Sequence, residues 1–404
     1  MTTIAVSGLW TFVAALLAIL LGTLFNRGWP ALARSGIPPA VSGGLVIAVA
    51  LWAVHATAGV AFAWPGEARA LLLLVFFAGL GLSARFAGLA QGGVGVAILC
   101  GVIALTIVAQ NTAGVLVAQA FGMPPALGLF VGSIPFIGGH GTAAAWAQAD
   151  AVAHLPARFE LGIAAATLGL VAGGLVGGPV AMALARRARA APATAPAEAA
   201  AAAAPPPERD PGRALADVLS SDRWLLVLLM IAAALALGEG LQRALVGAGV
   251  RVPDFLTAMF GGILITNGAD LIRRPVDHPL AELIGTIALR LFLAMSMLSL
   301  KLWELAPYAM LLAAVLAAQL LLVTAISALL VFPLLGRDRD AAIVSGGYIG
   351  FALGAMPIGL GTMRRLADTL GPAPRAFLII TLAASLFTDT ANAVAIQVFL
   401  NLFG

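Results

Sequence analysis

The chain has 404 residues, 61% of them hydrophobic and only 10% charged, with a mean hydropathy of +1.04. A soluble domain carries about 45–50% apolar and roughly 25% charged residues, so a soluble fold is excluded. The net charge of +4 comes from 21 arginines and one lysine against 18 acids. The basic residues stand in short runs between apolar segments, the distribution left by the positive-inside rule, which argues against a nucleic-acid partner.

The first apolar run, 4–25, is about twice the length of a signal-peptide core and has no basic residue before it. It is read as a retained span, although Ala31-Leu32-Ala33 would permit cleavage. Further runs long enough to cross a bilayer lie near 40–62, 69–85, 94–119 and 160–184, then near 222–246, 253–272, 283–300, 307–335 and 376–402. Two more, near 125–147 and 341–363, are broken by glycine and proline: GLFVGSIPFIGGHGTAAAW and SGGYIGFALGAMPIGLGTM. An interior glycine costs a helix about 1 kcal/mol and an interior proline ~3 kcal/mol. These two segments are therefore expected to be re-entrant hairpins whose irregular backbone lines a protein cavity; one kinked span each is the alternative. The stretch AAPATAPAEAAAAAAPPPERDPG, 190–212, reads as an Ala/Pro-rich linker. Cys100, the single cysteine, sits inside an apolar run and excludes an intrachain disulfide.

Charge bias orients these spans. With the N-terminus outside, the inner loops collect Arg27, Arg34, Arg85, Arg186, Arg187, Arg189, Arg209, Arg213, Arg223, Arg273, Arg274, Arg337, Arg339, Arg364, Arg365 and Arg375. The expectation is a multi-pass membrane protein, in contact with lipid, with both termini external and a cytoplasmic linker.

The two halves overlay at an offset of about 215. FFAGLGLSARFAGL (76–89) matches FLAMSMLSLKLWEL (292–305), with Phe76/Phe292, Ala78/Ala294, Leu82/Leu298, Ser83/Ser299 and Leu89/Leu305 identical. Gly132, Phe136 and Gly139 fall on Gly347, Phe351 and Gly354. Each half holds five spans and one hairpin, and an odd number of spans inverts the second half relative to the first. The expected fold is an all-α integral membrane protein of two inverted repeats, 1–189 and 213–404, each of five transmembrane helices plus one re-entrant hairpin. Paired interrupted segments in inverted repeats mark secondary transporters, with the substrate site at those interruptions.

Almost every acid falls in a loop or at a span end; Asp389, in LAASLFTDTANAVAIQVF, does not. Asn392 lies one turn later on the same face. An ionisable group at that depth is costly and by default functional, and a carboxylate beside an amide suits a sodium ion or a proton relay. The competing reading is an interhelical hydrogen bond made by a protonated Asp389. Gln110-Asn111 in the fourth span, with a positional partner near Gln319, either lines a ligand or bridges helices. His140, within Gly138-Gly139-His140-Gly141-Thr142, stands near the expected hairpin tip, where backbone N–H groups and helix ends favour an anion; a turn holding a hydrogen-bonded histidine is the plainer account. Ser133 and His140 do not make a hydrolase, because no nucleophile-elbow pattern and no HExxH motif occurs; the chain is read as not an enzyme. Arg290 is a rare charge inside an apolar run, either snorkelling to the interface or partnering a carboxylate. Gly169, Gly173 and Gly177 form a small-residue stripe read as internal packing.

The blocks VAQN (108–111), GSIPFIGGHGTAAAW (132–146), ATLGLVAGGLVGGPVA (166–181), MSMLSLKLWEL (295–305), GFALGAMP (350–357) and FTDTANAVAI (387–396) resemble those of the bacterial sodium/glutamate symporters, over nearly the whole chain. The resemblance implies a dimeric inner-membrane secondary transporter moving L-glutamate with sodium as coupling ion by an elevator-like, alternating-access shift. It places Ser133, Gly138, Gly139, His140, Gly141, Thr142 and Trp146 on the first hairpin, and Gly350, Phe351, Leu353, Gly354, Ala355 and Pro357 on the second. Gln110 and Asn111 join the solute site, and Asp389 and Asn392 the sodium site. The departures concern the solute. Pro135 and Ile137 stand where the family usually has hydroxyl residues, Tyr348 where it often has His, and Met356 and Ile358 where Thr is common. Lost donors cost discrimination, so a different organic acid or amino acid, or a scaffold that no longer transports, are the alternatives to glutamate; a channel-like pore is a further rival that the paired hairpins disfavour.

Overall fold

The computed structural model describes residues 2–29, 37–85, 93–188, 221–248, 252–272 and 276–403. The expected linker 190–212 lies outside them. The chain is mostly helical: α1 (Gly8–Gly28), α2 (Pro39–Ala58), α3 (Glu67–Ser83), α4 (Gly93–Ala120), the short α5 (Ser133–Phe136) and α6 (Gly139–Trp146), α7 (Arg158–Ala185), α8 (Ser221–Gly247), α9 (Asp254–Leu271), α10 (His278–Met297), α11 (Ala309–Ile326), α12 (Phe332–Leu334), α13 (Arg339–Leu353), α14 (Met356–Leu370), α15 (Pro374–Ala383) and α16 (Asp389–Phe403). Local chemistry sets several of the starts. Ser7, Asp277 and Asp338 cap α1, α10 and α13 by accepting from Trp10, Leu280 and Ala341 N–H, and proline occupies the first turn of α2, α14 and α15.

Seven described helical stretches are long and apolar enough to cross a membrane, among them Leu302–Leu334, which carries α11 and α12. The expected spans near 69–85, 253–272 and 376–402 also fold as helices. However, α3 has 17 residues, α9 has 18 with Asp254 and Asp270 near its ends, and the last is interrupted by a π-turn at Ala384–Thr388. The all-α expectation needs one correction: Thr2–Ala5 (β1) and Val60–Ala63 (β2) pair in parallel, Thr2 opposite Val60 and Ala5 opposite Ala63. Both pieces are short, lie beyond helix ends and are rich in the β-branched and aromatic residues that strands favour, and neither is long enough for a helix of its own.

The helices sort into two groups. In one, α1, α2, α3, α8, α9 and α10 pack together, with a core of Ala78 and Leu82, Val227, Ile231 and Ala234, and Leu280 and Ala281. The end of α3 is held by side chains from α9 and α10. Leu82 O accepts from Thr266 Oγ1 (2.6 Å) and His278 Nδ1 (2.9 Å), and Ala84 O accepts from Asn267 Nδ2 (3.0 Å), so its last carbonyls are satisfied. Arg85 adds a two-pronged pair to Asp270, at 2.7 and 3.0 Å. Because the guanidinium is 43% exposed, screening limits the pair to about 0.5–1 kcal/mol. A double-mutant cycle of Arg85→Ala and Asp270→Ala on thermal unfolding should return a coupling of that size, falling as salt rises.

In the other group, α4, the 125–146 segment, α7, α11, α12, α13, α14, α15 and α16 pack around one another. The groups touch through an aromatic cluster of Phe77, Phe255 and Trp146, with ring centroids 4.7 and 5.4 Å apart. Beyond that cluster, a cavity of about 600 Å³ opens between them. Leu73, Val246, Phe255, Gln148 and Asp150 are among its lining residues, and no residue of the hairpin tips is.

Candidate functional site

Each broken segment folds as helical pieces separated by a break. The first is a 3-10 turn, Pro125–Val131, followed by α5 and α6. The second, α13 and α14, runs from Arg339 to Leu370 and is longer than the sequence suggests, because Asp338 caps its first helix ahead of the apolar run. Gly139 takes φ +68, a conformation costly for any side chain, and thereby turns the first tip. A Cβ placed there would lie 3.5 Å from the Gly354 carbonyl, so the two tips meet. Gly354 and extended Ala355 separate the arms of the second hairpin, and Pro357 sits in the first turn of α14.

The glycine stripe of α7 is what seats the second hairpin. A side chain at Gly169 would collide with the Leu353 carbonyl and the Phe136 ring. One at Gly173 would lie 3.1 Å from Leu353 Cβ and 3.3 Å from Gly350, and one at Gly177 would lie 2.6 Å from the Gly346 carbonyl. The stripe is internal packing, as expected. Gly177→Leu should therefore displace the second hairpin and lower the unfolding temperature by several degrees, a large loss for one substitution.

Polar side chains cross close behind the hairpin tips. Asn111 Oδ1 accepts from Ser133 N–H at 2.9 Å. Ser133 Oγ donates to Asn392 Oδ1 at 2.6 Å, and Asn392 Nδ2 donates to the Ser133 carbonyl at 3.3 Å. Three elements far apart in sequence, α4, α5 and α16, are thus locked at one serine. Gln110 Nε2 donates to Ala352 O at 2.8 Å, tying α4 to the second hairpin, and Tyr348 hydrogen-bonds Thr106 one turn away. Gln110, Asn111, Ser133, Asn392 and Tyr348 are all buried to 1% exposure or less.

His140 is also buried. Thr167 Oγ1 donates to Ile163 O at 2.8 Å, so its oxygen receives His140 Nε2–H at 3.0 Å. The histidine pins the first hairpin to α7, which is the plainer of the two readings. Gly138 packs on Thr142, and a side chain at Gly141 would lie 3.0 Å from Leu289 of α10. Asp389 opens α16 immediately after the π-turn Ala384–Thr388, a helix irregularity found often at functional sites. It is partly buried and makes no hydrogen bond or ion pair with a described side chain. Asn392 points to Ser133 rather than sharing a partner with Asp389. Arg290 is exposed on α10 without a carboxylate partner among the described residues. Thr106 and Thr167 escaped selection from sequence, whereas Gln319 stands there as the positional partner of Gln110-Asn111. Thr106 had a usable signal, since 99, 103, 106, 110 and 114 form one buried face of α4.

The family model for sodium/glutamate symporters matches residues 4–372. Over 401 residues the chain is 34% identical to a sodium/glutamate symporter of Haemophilus influenzae, with 96% of each chain covered. Over 394 residues it is 33% identical to one from Escherichia coli and to one from Shigella flexneri, with 97% of each chain covered.

Proposed function

Starting from the fact that the chain belongs to the sodium/glutamate symporter family, we propose that it imports glutamate together with sodium by alternating access. The observation that carries the reading is the buried polar junction where α4, both hairpins and α16 converge, with Asp389 one turn from it. A carboxylate without a partner among the described residues suits a monovalent cation, which takes oxygen ligands. Gln110, Asn111, Ser133, Gly138 to Thr142, Gly354, Ala355 and Pro357 would surround the solute, and Asp389 with Asn392 would hold sodium. Because Asn392 bonds Ser133, cation binding beside it would be felt directly by the first hairpin. Sodium would thus favour closure of the tips over bound solute, which couples the two fluxes.

The division into repeats 1–189 and 213–404 draws support from the element order. Helices starting at Gly8, Pro39, Glu67, Gly93 and Arg158 recur at Ser221, Asp254, His278, Ala309 and Pro374, with a hairpin between the fourth and fifth each time. Elevator-like movement draws support from the two packing groups: the group holding the hairpins would shift against α1–α3 and α8–α10 of a dimeric scaffold. Arg85, Arg186, Arg187, Arg223, Arg337 and Arg339 stand at helix ends that alternate along the chain, in keeping with a cytoplasmic linker and external termini.

Uptake of labelled L-glutamate into liposomes, driven by an inward sodium gradient and compared with potassium, tests the proposal. Sodium-dependent accumulation is expected. A folded, inserted protein that accumulates none would favour a different small solute, the reading suggested by apolar Pro135, Ile137, Met356 and Ile358 at the hairpins.

A further inference from the structure

Gln319 of α11 is fully buried, and its side-chain orientation is fixed by chemistry. Its Nε2 lies 2.9 Å from the Gln110 carbonyl and 3.3 Å from the Val131 carbonyl, two acceptors that only an NH₂ group satisfies. The Gln110 amide is fixed likewise by Ala352 O, 2.8 Å from its Nε2. The atoms left over are therefore both oxygens: Gln110 Oε1 and Gln319 Oε1 are buried without a hydrogen-bond partner. Leaving a buried acceptor unsatisfied is costly, and here two such acceptors stand on residues in contact. A partner for them must be a donor or a cation, since a further acceptor would only add repulsion.

We infer that Gln319 and Gln110 form a cation-accepting amide pair between α4 and α11, binding either a sodium ion or the ammonium group of the amino-acid solute. The pair would be additional to Asp389, and it rests on the sodium-coupled reading above. It also gives α11 a part at the site, which the sequence left to the hairpins, α4 and the last span.

The test uses the full chain carrying Gln319→Met, which keeps the length without oxygen or N–H, and Gln319→Glu, which, protonated at this buried position, keeps an oxygen acceptor and one donor for the Gln110 carbonyl. Unfolding is followed in sodium chloride against choline chloride without glutamate, and uptake is measured against sodium and glutamate concentration. If sodium is the ligand, Gln319→Met raises the half-activating sodium concentration about tenfold or more and removes the sodium-dependent thermal shift. If the ammonium is the ligand, the sodium response stays, the KM for glutamate rises by a similar factor, and glutarate, which lacks the amine, competes as well as glutamate. In either case Gln319→Glu restores the lost response. A Gln319→Met variant with wild-type sodium and glutamate dependence would overturn the inference and assign the two oxygens to buried water. So would a Gln319→Glu variant as impaired as Gln319→Met, because the amide donors alone would then explain the residue. A wild-type protein without sodium-dependent uptake would sink the symport reading separately, while its thermal response to sodium would still decide on the pair.

Discussion

Replacing Asp389 by Asn is expected to abolish sodium-dependent glutamate uptake while leaving the protein folded. The substitution keeps the size and shape of the side chain, removes the charge and turns one accepting oxygen into a donating NH₂. Because Asp389 has no described partner to be stranded by the change, stability should hold or rise slightly: an unpaired buried charge is among the most expensive groups a protein can carry. The electrostatic pull on a cation disappears, and its loss at a desolvated site should weaken sodium binding by about a hundredfold, or ~2.7 kcal/mol. Uptake at fixed sodium, the sodium-activation curve and the unfolding temperature together check this. A variant with unchanged sodium activation would remove Asp389 from the ion site.

Asn392→Leu should fail for a different reason, through the protein's own packing. Leucine has the same branched skeleton, but the change deletes the acceptor of Ser133 Oγ and leaves that hydroxyl buried and unpaired, while the Ser133 carbonyl keeps the N–H groups of Ile137 and Gly138. A stranded buried hydroxyl costs about 1–3 kcal/mol, so a stability loss of that size is expected together with loss of transport. Ser133→Ala combined with Asn392→Leu should cost less than the sum of the two single changes, since removing the hydroxyl also removes the stranded group. A double-mutant cycle read by thermal unfolding would return that coupling. Purely additive losses would mean that the serine and the asparagine are not bonded.

The membrane class, the positions of both hairpins and the family were legible in the chain because each is written locally. Apolar run length marks a span, and Gly-Pro interruption marks where a span cannot continue. The ordered blocks from VAQN to FTDTANAVAI carry the family. The α7 stripe was legible too, since glycines every four residues can only lie on one helix face. The two short strands were not. Four-residue segments beside apolar helices give no period to read, and only the approach of Thr2 to Val60 makes them a sheet.

The polar pairings depended on contacts that local sequence does not encode. Asp389 and Asn392 share a helical face, but only the fold shows that Asn392 also bonds Ser133, 259 residues away. His140 sits in a loop-like glycine string, and the fold sets its ring against Thr167. Gln319 is the positional partner of Gln110-Asn111 in the sequence, but only the structure puts the Gln110 and Val131 carbonyls at its NH₂. Composition and periodicity report how each segment meets its solvent, because that energy accumulates residue by residue along the chain. Which buried donor meets which acceptor is decided by how remote segments cross, and only the tertiary structure brings those atoms within 3 Å of one another.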